Sequence, residues 1–480
     1  MSMKHALGSL SFHLVDAAGP YYQQLIDQVK SGISAARLNP GDKLPSSRHL
    51  AVSLGVSRST VARAYDSLLA EGFLVSEPKR GLFVAATART QGNTPPQVRS
   101  ALPVEPLPAL SCDSGADIAA FPARDWAASM RRSWLNPDHK VLEGVYASGY
   151  PPLKEAIADY LFRVRGLTCS PDQVFVTSGN RDALIILQHS LDAQTEQARW
   201  LLENPGYTPM RALLSTRALG LGSLQVDSEG VRLPAACESP QVAIITPNRQ
   251  YPLGITMSPA RRQAWLQAMQ APSSLWLIED DYDNEYLYQG RMGLPLMQAD
   301  TQGRCFLVGS FSKVLFRGLR LGFVVVPPAQ IERFHASQQA LGASASLPIQ
   351  PVLADFMRHG CFDRHLNRMR RHYRLKRDRL LALLAETLTP WLDWQTPNGG
   401  MHIRVMVKQG WLAAQPPARW DRRIADDLAN NGIHLEVLSD HYATPATGEQ
   451  GFLLGFSSPS LATMLSVVRA LADWFDRQSG

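Results

Sequence analysis

The 480-residue sequence has few cysteines, and their spacing is typical of neither a disulfide framework nor a metal site. Cys112, Cys169, Cys237, Cys305 and Cys361 are odd in number, far apart, and form no Cys-x-x-Cys or Cys/His ligand pattern. We therefore expect reduced thiols in a reducing compartment and no metal centre.

Long hydrophobic runs are missing as well. No window approaches the ~20 apolar residues that cross a bilayer, and the opening MSMKHALGSLSFHLVD lacks the apolar stretch of a signal peptide. With 45% hydrophobic and 19% charged residues, the chain is not a disordered or collagen-like protein. We expect a soluble, cytoplasmic protein with no membrane partner, and the length suggests roughly three folded units.

The positive charge of the chain is small and uneven. Lys and Arg number 48 against 42 Asp and Glu, and half of the net charge of +6 falls on residues 1–88. A short basic end on a nearly neutral body suggests an anionic partner for that end.

Composition and periodicity divide the chain into four parts. A stretch with prolines at 95, 96, 103, 106 and 108 predicts an extended, semi-rigid linker. After it, apolar runs such as VFVT, VAIIT, LWLI and CFLV alternate with amphipathic helices, which predicts an α/β domain around a mostly parallel sheet. A long helix from about residue 355 begins a smaller α+β domain. The predicted parts are an N-terminal domain at 1–86, the linker at 87–112, a large domain at 113–354 and a small domain at 355–480.

Three helices and a hairpin are predicted before the linker. Apolar residues recur at helical spacing from Leu25 to Ile33. PGDKLPSS interrupts this pattern, Gly55 ends a second helix, and Ser57 is placed to cap a third. Two short strands follow, joined by a basic tip. This order is typical of a winged helix-turn-helix, an α+β fold; a three-helix protein-interaction module with solvated arginines is the alternative.

In a winged helix-turn-helix, the first residues of the third helix face base edges in the major groove. The second helix and the hairpin tip lie near backbone phosphates. The residues predicted to contact DNA are Arg58, Ser59 and Thr60 on the third helix, Ser46 and Arg48 one element earlier, and Lys79 and Arg80 at the tip.

The segment from Tyr21 to Val84 closely resembles the DNA-binding domain of the GntR family of bacterial regulators. The resemblance rests on PGDKLPSSR, LGVSRSTV and AYDSLLAEG. It implies a double-stranded DNA operator as partner. The wing departs from the usual Gly-Thr-Phe-Val ending, because Leu82, Phe83 and Val84 follow Gly81.

A lysine with phosphate-binding neighbours follows the CFLV strand in GSFSKVLFRGLRLGF. Lys313 has the amine that a Schiff base to an aldehyde cofactor needs, and Ser310, Ser312 and Arg320 are suited to a phosphate dianion. A lone lysine is usually a solvated surface charge. Here, however, LWLI runs into acids at the end of a buried strand, where ligands of α/β sheets bind.

Asp280 at that strand end could hold a pyridine nitrogen protonated, and Tyr282 could hydrogen-bond a ring hydroxyl; a solvated acidic loop is the alternative.

VFVT leads through Ser178, Gly179 and Asn180 into a helix whose N-terminus favours a phosphate. Tyr207 in ENPGYTP is suited to stack on a planar ring, unless it is a surface aromatic. TPNRQYPLG brings Gln250 or Tyr251 to the end of another strand.

Taken together, these motifs resemble the fold-type I aminotransferases over roughly Asp113 to Phe475. The resemblance implies pyridoxal 5'-phosphate as cofactor, Lys313 as its Schiff-base lysine, Asp280 and Tyr282 as partners of the ring nitrogen and hydroxyl, and Tyr207 as the stacking ring. It also implies a homodimer. The implied phosphate cup consists of Ser178, Gly179, Asn180, Ser310, Ser312 and Arg320.

A GntR-type head on such a domain is the arrangement of the MocR/GabR subfamily, which YASGYPPLKEAIADYL and HLNRMRRHYRLKRDRL also resemble. The subfamily implies a regulator that senses an amino compound or the cofactor itself; a working aminotransferase with a DNA-binding appendage is the rival. Three departures bear on this choice. Arg249 replaces a common His, Arg181 and Asp182 replace a Gln pair, and the strand Phe452–Phe456 lacks the arginine of an R-x-x-F pattern that clamps a substrate carboxylate.

Three further basic features are noted in the sequence. Arg404 and Arg211 could substitute for the missing arginine, although each could equally be structural or solvated. The helix at 364–379 holds eight Lys or Arg and one Asp. This helix presents either an ordinary exposed face or an auxiliary strip that contacts the phosphates of bent DNA.

Overall fold

The computed structural model describes residues 3–7, 10–15, 19–86, 110–192, 195, 198–216, 220–235, 239–270, 275–291, 293–416 and 418–479. Its contacts divide the chain into two compact units, Met1–Pro106 and Leu107–Gly480, each described here by itself. Positions 87–109 of the predicted linker, and Cys237, lie outside the described residues. The other four cysteines are free thiols.

The N-terminal unit has the predicted helices and wing, preceded by a hairpin that the sequence analysis did not predict. Phe12 and Leu14 of that hairpin are buried in the same core as Leu25, Val29 and Val61. The elements are β1 Met3–Leu7, β2 Leu10–Leu14, α1 Tyr21–Ser34, α2 Ser47–Leu54, α3 Arg58–Ala70, β3 Leu74–Glu77 and β4 Gly81–Val84.

Local capping fixes the tight turn between α2 and α3. The Ser46 hydroxyl accepts from His49 N at 3.2 Å, and the Ser57 hydroxyl accepts from Thr60 N at 3.1 Å. Gly55 ends α2 in the left-handed conformation with φ 64°, which a residue without Cβ adopts at little cost. These caps fix where α2 ends and α3 begins, and Arg58 and Ser59 in the first turn of α3 are exposed.

An eight-stranded sheet forms the centre of the C-terminal unit, in the order β6-β13-β12-β11-β10-β7-β8-β9. β12, β11, β10, β7 and β8 are mutually parallel, and β13 is antiparallel to both of its neighbours. The predicted mostly parallel sheet is therefore confirmed. Its strands are β6 Val174–Thr177, β7 Arg199–Asn204, β8 Leu221–Asp227, β9 Gly230–Val231, β10 Gln241–Ile245, β11 Leu275–Asp281, β12 Cys305–Ser310 and β13 Gly322–Val325.

Helices cover this sheet, which explains why its strands are apolar on both faces. Leu187, Phe306 and Phe334 belong to one buried cluster, and Trp265, Leu277 and Cys305 belong to another. The helices up to residue 358 are α4 Ala123–Leu135, α5 His139–Leu142, α6 Pro151–Tyr160, α7 Asn180–Asp192, α8 Thr208–Ser215, α9 Pro259–Gln270, α10 Leu296–Ala299, α11 Ile331–Ala340 and α12 Gln350–Arg358.

A four-stranded antiparallel sheet, β14-β15-β18-β17, packs with the last helices to form the predicted smaller α+β part. The expected single helix from about residue 355 is two helices, because Gly360 adopts a left-handed φ of 68° between them. The remaining elements are α13 Cys361–Thr387, α14 Gln409–Ala413, α15 Trp420–Ala429, α16 Leu461–Ser479, β14 Leu392–Trp394, β15 His402–Val407, β17 Glu436–Val437 and β18 Gly451–Gly455, with a short pair β5 Leu110–Ser111 and β16 Ile433–His434.

The two faces of this small sheet differ. Ile403, Val405, Phe452 and Leu454 lie in the buried core together with Met464 and its neighbours on α16. Arg404 is paired across the strands with Leu453, and Leu453 with Glu436, so these three lie on the other face. Within the described residues, no helix combines the length and apolarity that a membrane crossing needs.

Candidate functional site

A cavity of about 590 Å³ lies at the ends of the central strands of the large sheet. Segments that follow β6, β7, β11 and β12 contribute to its wall, as expected for a ligand site in an α/β sheet. The structure brings all ten predicted cofactor-binding residues to this one cavity: Ser178, Gly179, Asn180, Tyr207, Asp280, Tyr282, Ser310, Ser312, Lys313 and Arg320.

Lys313 lies in the turn after β12. Its Nζ donates to the Ser114 carbonyl oxygen at 2.7 Å and lies 3.1 Å from the Ser114 hydroxyl. Burial lowers the pKa of Lys313, and the carboxylates of Asp283 and Asp113 oppose that shift. A lysine with a lowered pKa is neutral more often and so is a better nucleophile.

Asp280 lies at the end of β11 and is buried. Its Oδ1 accepts from Asn180 Nδ2 at 3.0 Å. Burial, together with the carboxylates of Asp281 and Glu203, raises the pKa of Asp280 to about 7. The next residue, Asp281, points to the opposite face of the strand and binds Arg165 with Nε to Oδ2 at 2.6 Å. The structure therefore singles out one acid of the EDDY run for the cavity.

The Tyr282 hydroxyl is buried and has no hydrogen-bond partner within the described part of the chain. The Asn180 Oδ1 atom is likewise buried and without a hydrogen-bond partner among the described residues. Buried polar atoms are nearly always paired, so two orphaned atoms on one cavity wall indicate a missing ligand.

The turn from Ser178 to Asn180 opens α7. Gly179 has φ 96°, and a Cβ built there would contact nothing within 4 Å, so the space beside the turn is open. Ser178 N donates to Asp182 Oδ2 at 2.8 Å. A carboxylate therefore caps the turn at the position of the expected Gln pair.

Arg320 is exposed, and its φ of 51° is uncommon for a residue with a side chain. The adjoining β13 begins at Gly322, where a Cβ would lie 2.8 Å from the Gly309 carbonyl and 3.0 Å from Gly179 Cα. This close backbone approach sets Arg320 beside the phosphate turn.

Three aromatic rings also line the cavity. Tyr207, 49% exposed, meets the edge of Tyr251 at 5.6 Å, and Tyr251 meets Tyr282 at 5.7 Å. Of the two residues predicted after the strand β10, Tyr251 lines the cavity. Gln250 is buried elsewhere and donates to the Pro205 carbonyl at 2.8 Å.

Several cavity residues were missed because they come from distant segments or lack a local motif. Ser114 precedes the large sheet, and Glu436 lies in the small one. Glu203 is the last residue but one of β7, where it accepts from Thr246 N at 3.0 Å, and burial raises its pKa to about 7. Of these missed residues, only Glu203 had a signal in the sequence, because in ENPGY an acid stands directly before a turn.

The two arginines that depart from the family pattern and the two that could replace its missing arginine lie in different environments. Arg249 is buried with Nε 3.2 Å from Asp283 Oδ1, and Arg404 pairs with Glu449 at 3.6 Å. Arg211 lines the cavity and donates to the Glu203 carbonyl at 3.4 Å. Arg181 also lines the cavity, beside the phosphate turn.

In the N-terminal unit, the residues predicted to read bases are adjacent at the start of α3. Arg58 and Ser59 are exposed and Thr60 is half-buried. The Ser57 hydroxyl lies 2.8 Å from both the Ser59 and the Thr60 hydroxyls. This network occupies the two hydroxyls in part, so Arg58 is the freest donor of the three.

The predicted phosphate contacts lie at two places. Arg48 is exposed in the first turn of α2, and Ser46 is exposed while its hydroxyl caps that helix. Lys79 is exposed at the wing tip with a left-handed φ of 65°. Arg80 forms an ion pair with Glu77, which partly neutralises the wing.

The basic helix at 364–379 divides between inward and outward residues. Lys376 binds Asp117 Oδ2 at 2.9 Å, Arg377 donates to the Pro397 carbonyl at 2.9 Å, and Arg370 donates to the Glu285 carbonyl at 2.6 Å. These three are structural. The exposed ones are Arg364, Arg368, Arg371, Arg374 and Arg379.

Comparison with known families gives a separate match for each unit. Residues 21–84 match the description "Bacterial regulatory proteins, gntR family", and residues 116–418 match "Aminotransferase class I and II". The two matches fall on the two units that the structure separates.

Named relatives match along nearly the whole chain. The probable rhizopine catabolism regulatory protein MocR of Rhizobium meliloti is 34% identical over 96% of this chain and 94% of its own. The pyridoxine biosynthesis transcriptional regulator PdxR of Corynebacterium glutamicum is 32% identical, covering 94% and 95%. Among solved structures, an archaeal alanine:glyoxylate aminotransferase shares the fold, with a TM-score of 0.67 and 24% identity over 77% of this chain and 91% of that one.

Proposed function

The chain belongs to the MocR/GabR subfamily of gntR-type regulators, which joins a DNA-binding head to an aminotransferase class I and II domain, and from this premise we propose how it works. It is a DNA-binding transcriptional regulator. Its C-terminal unit binds pyridoxal phosphate and senses an amino compound, and this binding alters the affinity of the N-terminal unit for an operator. The cavity that gathers Lys313, Asp280 and Tyr282 is the observation that carries the proposal.

The cavity offers each group that pyridoxal phosphate needs. Asp280 would hold the ring nitrogen, and the orphaned Tyr282 hydroxyl would bond the ring hydroxyl. The open turn at Gly179, with Ser310, Ser312 and Arg320, would receive the phosphate. Tyr207 would cover the ring. When bound, the cofactor supplies an aldehyde that forms a reversible bond with a primary amine.

Lys313 and the effector compete for the same partner. If an amine displaced Nζ from the cofactor, the Lys313 amine would be released and would again have Ser114 as a partner. A ligand shifts a protein between conformations only by its differential affinity for them. A coupling of ~1 to 3 kcal/mol, which is ordinary for allosteric proteins, would suffice for regulation.

The dimer, the DNA contacts and the location are part of the same proposal. We propose a cytoplasmic homodimer with two heads on two operator half-sites, in which Arg58 reads a base and Arg48 and Lys79 contact phosphates. The exposed positions of Arg58, Arg48 and Lys79 support the proposed DNA contacts.

A working aminotransferase is the second candidate, because Lys313 and Asp280 would serve either role. Leu453 and its neighbours in β18 argue against it, since no arginine stands there to clamp a carboxylate. A sensor of the cofactor itself is the third candidate, favoured by the name of the relative PdxR.

Operator affinity with and without amines tests the proposal. The wild type should respond to a suitable amine, and Lys313→Ala should not. A response that survives in Lys313→Ala would mean that the signal does not pass through this lysine. A response to pyridoxal phosphate alone, with none to any amine, would favour the third candidate.

A further inference from the structure

One residue of the small sheet, Glu436, lines the cavity, and it belongs to a row of directly paired side chains. Leu453 on β18 lies directly across from Arg404 on β15 and from Glu436 on β17. Directly opposed residues share a face of a sheet. An R-x-x-F pattern ending at Phe456 would place its arginine at 453, so an apolar residue stands where a carboxylate clamp would stand.

Glu436 lies beside that position and lines the same cavity as Lys313. Its Oε1 accepts from the Tyr251 hydroxyl and lies 3.4 Å from His441 Nε2. Its Oε2 has no hydrogen-bond partner among the residues that the structure describes. Although burial opposes it, the hydrogen bonds from His441 and Tyr251 lower the pKa of Glu436 to about 2, so the carboxylate is ionised at neutral pH.

The nearby arginines are already engaged. Arg404 pairs with Glu449 and does not line the cavity. Arg317 lines it, but its Nη2 binds Asp113 Oδ1 at 2.6 Å. Lys313 therefore shares its part of the cavity with an unpaired carboxylate oxygen of Glu436 and with a guanidinium, Arg317, whose charge is already paired with Asp113.

The three remaining arginines that line the cavity belong to other segments of its wall. Arg181 and Arg320 flank the phosphate turn, and the Arg211 guanidinium is bound to the carbonyl at the end of β7. A carboxylate bound next to Glu436 would meet a like charge, and the guanidinium in this part of the cavity, Arg317, is already paired with Asp113, which makes such binding unfavourable in a partly desolvated site.

We propose that the effector is a primary amine whose far end carries a hydrogen-bond donor, above all a second ammonium group, and no carboxylate, with Glu436 as the partner of that donor. This rests on the proposed function, because it assigns a ligand class to the same cavity. A site built to accept a hydrogen bond rejects an analogue that cannot donate one, since the acceptor is then left unpaired.

Two amines of similar length but opposite end charge provide the test. 1,4-Diaminobutane and γ-aminobutyrate are titrated into the full-length protein loaded with pyridoxal phosphate, with binding followed by visible absorption and by calorimetry. We expect wild type to bind the diamine at least ten-fold more tightly. 4-Amino-1-butanol, a neutral donor, should fall between them.

Glu436→Gln should bring the two affinities within about three-fold of each other by weakening the diamine and strengthening γ-aminobutyrate. Glu386→Gln is the matched control, because it removes an exposed acid of α13 that does not line the cavity and pairs with no arginine among the described residues; it should keep the wild-type preference. Leu453→Arg combined with Glu436→Gln should reverse the preference toward γ-aminobutyrate.

Equal or tighter binding of γ-aminobutyrate by wild type would overturn the inference, and so would a diamine that does not bind or a preference unchanged in Glu436→Gln. The wild-type comparison stands even if a variant fails to fold. Operator affinity is measured on the same samples. Selective diamine binding that leaves operator affinity unchanged would overturn the proposed regulation while supporting this ligand class.

Discussion

In the N-terminal unit the candidate DNA-contacting residues lie between Ser46 and Arg80 and are mostly exposed, whereas the candidate cofactor site draws on residues from Asp113 to Glu436 and is mostly half-buried around a buried Asp280. The two regions therefore differ in how strongly solvent and salt weaken the interactions of their charged groups. Exposed charges are screened by salt. Buried groups have shifted pKa values, and each depends on its neighbours.

This difference predicts different responses to substitution. Contacts on the exposed surface should contribute separate, graded amounts of binding energy. In the buried cavity, removal of one group should abolish a chemical property outright. The following predictions test that contrast, beginning with the largest effect.

Lys313→Ala should abolish covalent attachment of pyridoxal phosphate. Wild type should be yellow and should keep the cofactor after borohydride treatment, because reduction fixes the bond to the lysine. The variant should lose that fixed adduct while basal operator binding persists. Mass spectrometry of the treated proteins checks it, and an undiminished adduct would remove Lys313 from this role.

The same residues show how far local sequence carries. Lys313 and Asp280 were found because each lies at or shortly after the end of a buried apolar strand, and parallel strands deliver such residues to one edge of the sheet. Ser114 was not found, since it reaches Lys313 across 199 positions and no local pattern encodes that contact.

Two fold features were missed for similar reasons. In the hairpin of β1 and β2, Phe12 and Leu14 alternate with polar neighbours, a strand signal too short to separate from loop. The break at Gly360 depends on a left-handed backbone within an otherwise helical pattern. Glu436 lay in a segment without a motif, and only sheet register brings it beside Leu453.

Asp280 predicts a second large effect, in the cofactor-free protein. Its pKa is raised to about 7 from an ordinary value near 4, so the folded state binds a proton more tightly than the unfolded state. This group's contribution is therefore fully present below about pH 4 and lost as pH rises through 7. The loss is at most about 4 kcal/mol, at ~1.4 kcal/mol per pKa unit.

Thermal unfolding of cofactor-free wild type and Asp280→Asn between pH 5 and pH 8 measures this effect. Wild type should lose more stability than the variant as pH rises. Equal losses would show that Asp280 is not the group that titrates. In the loaded protein the difference should shrink, because a charged ring nitrogen would favour the ionised carboxylate.

Arg58→Ala should weaken specific operator binding by ~1 to 3 kcal/mol and relax sequence preference at one position. Its side chain is exposed at the start of α3 and is the freest donor there. Affinities for the operator and for single-base variants measure it. A uniform loss across all sequences would mean that Arg58 contacts only phosphates, and the contrast between reading helix and wing would then fail.

Lys79→Ala should have the smallest effect. Lys79 is exposed at the wing tip, and the adjacent Arg80 is already paired with Glu77, so Lys79 carries the free charge of the wing. A phosphate contact releases counterions, so the variant should bind every sequence more weakly and its salt slope should fall by about one. The slope of log affinity against log salt concentration measures this, with Glu77→Gln as the matched control: freeing Arg80 should steepen that slope. An unchanged slope in Lys79→Ala would mean that the wing does not touch DNA, and that the exposed site is confined to α2 and α3.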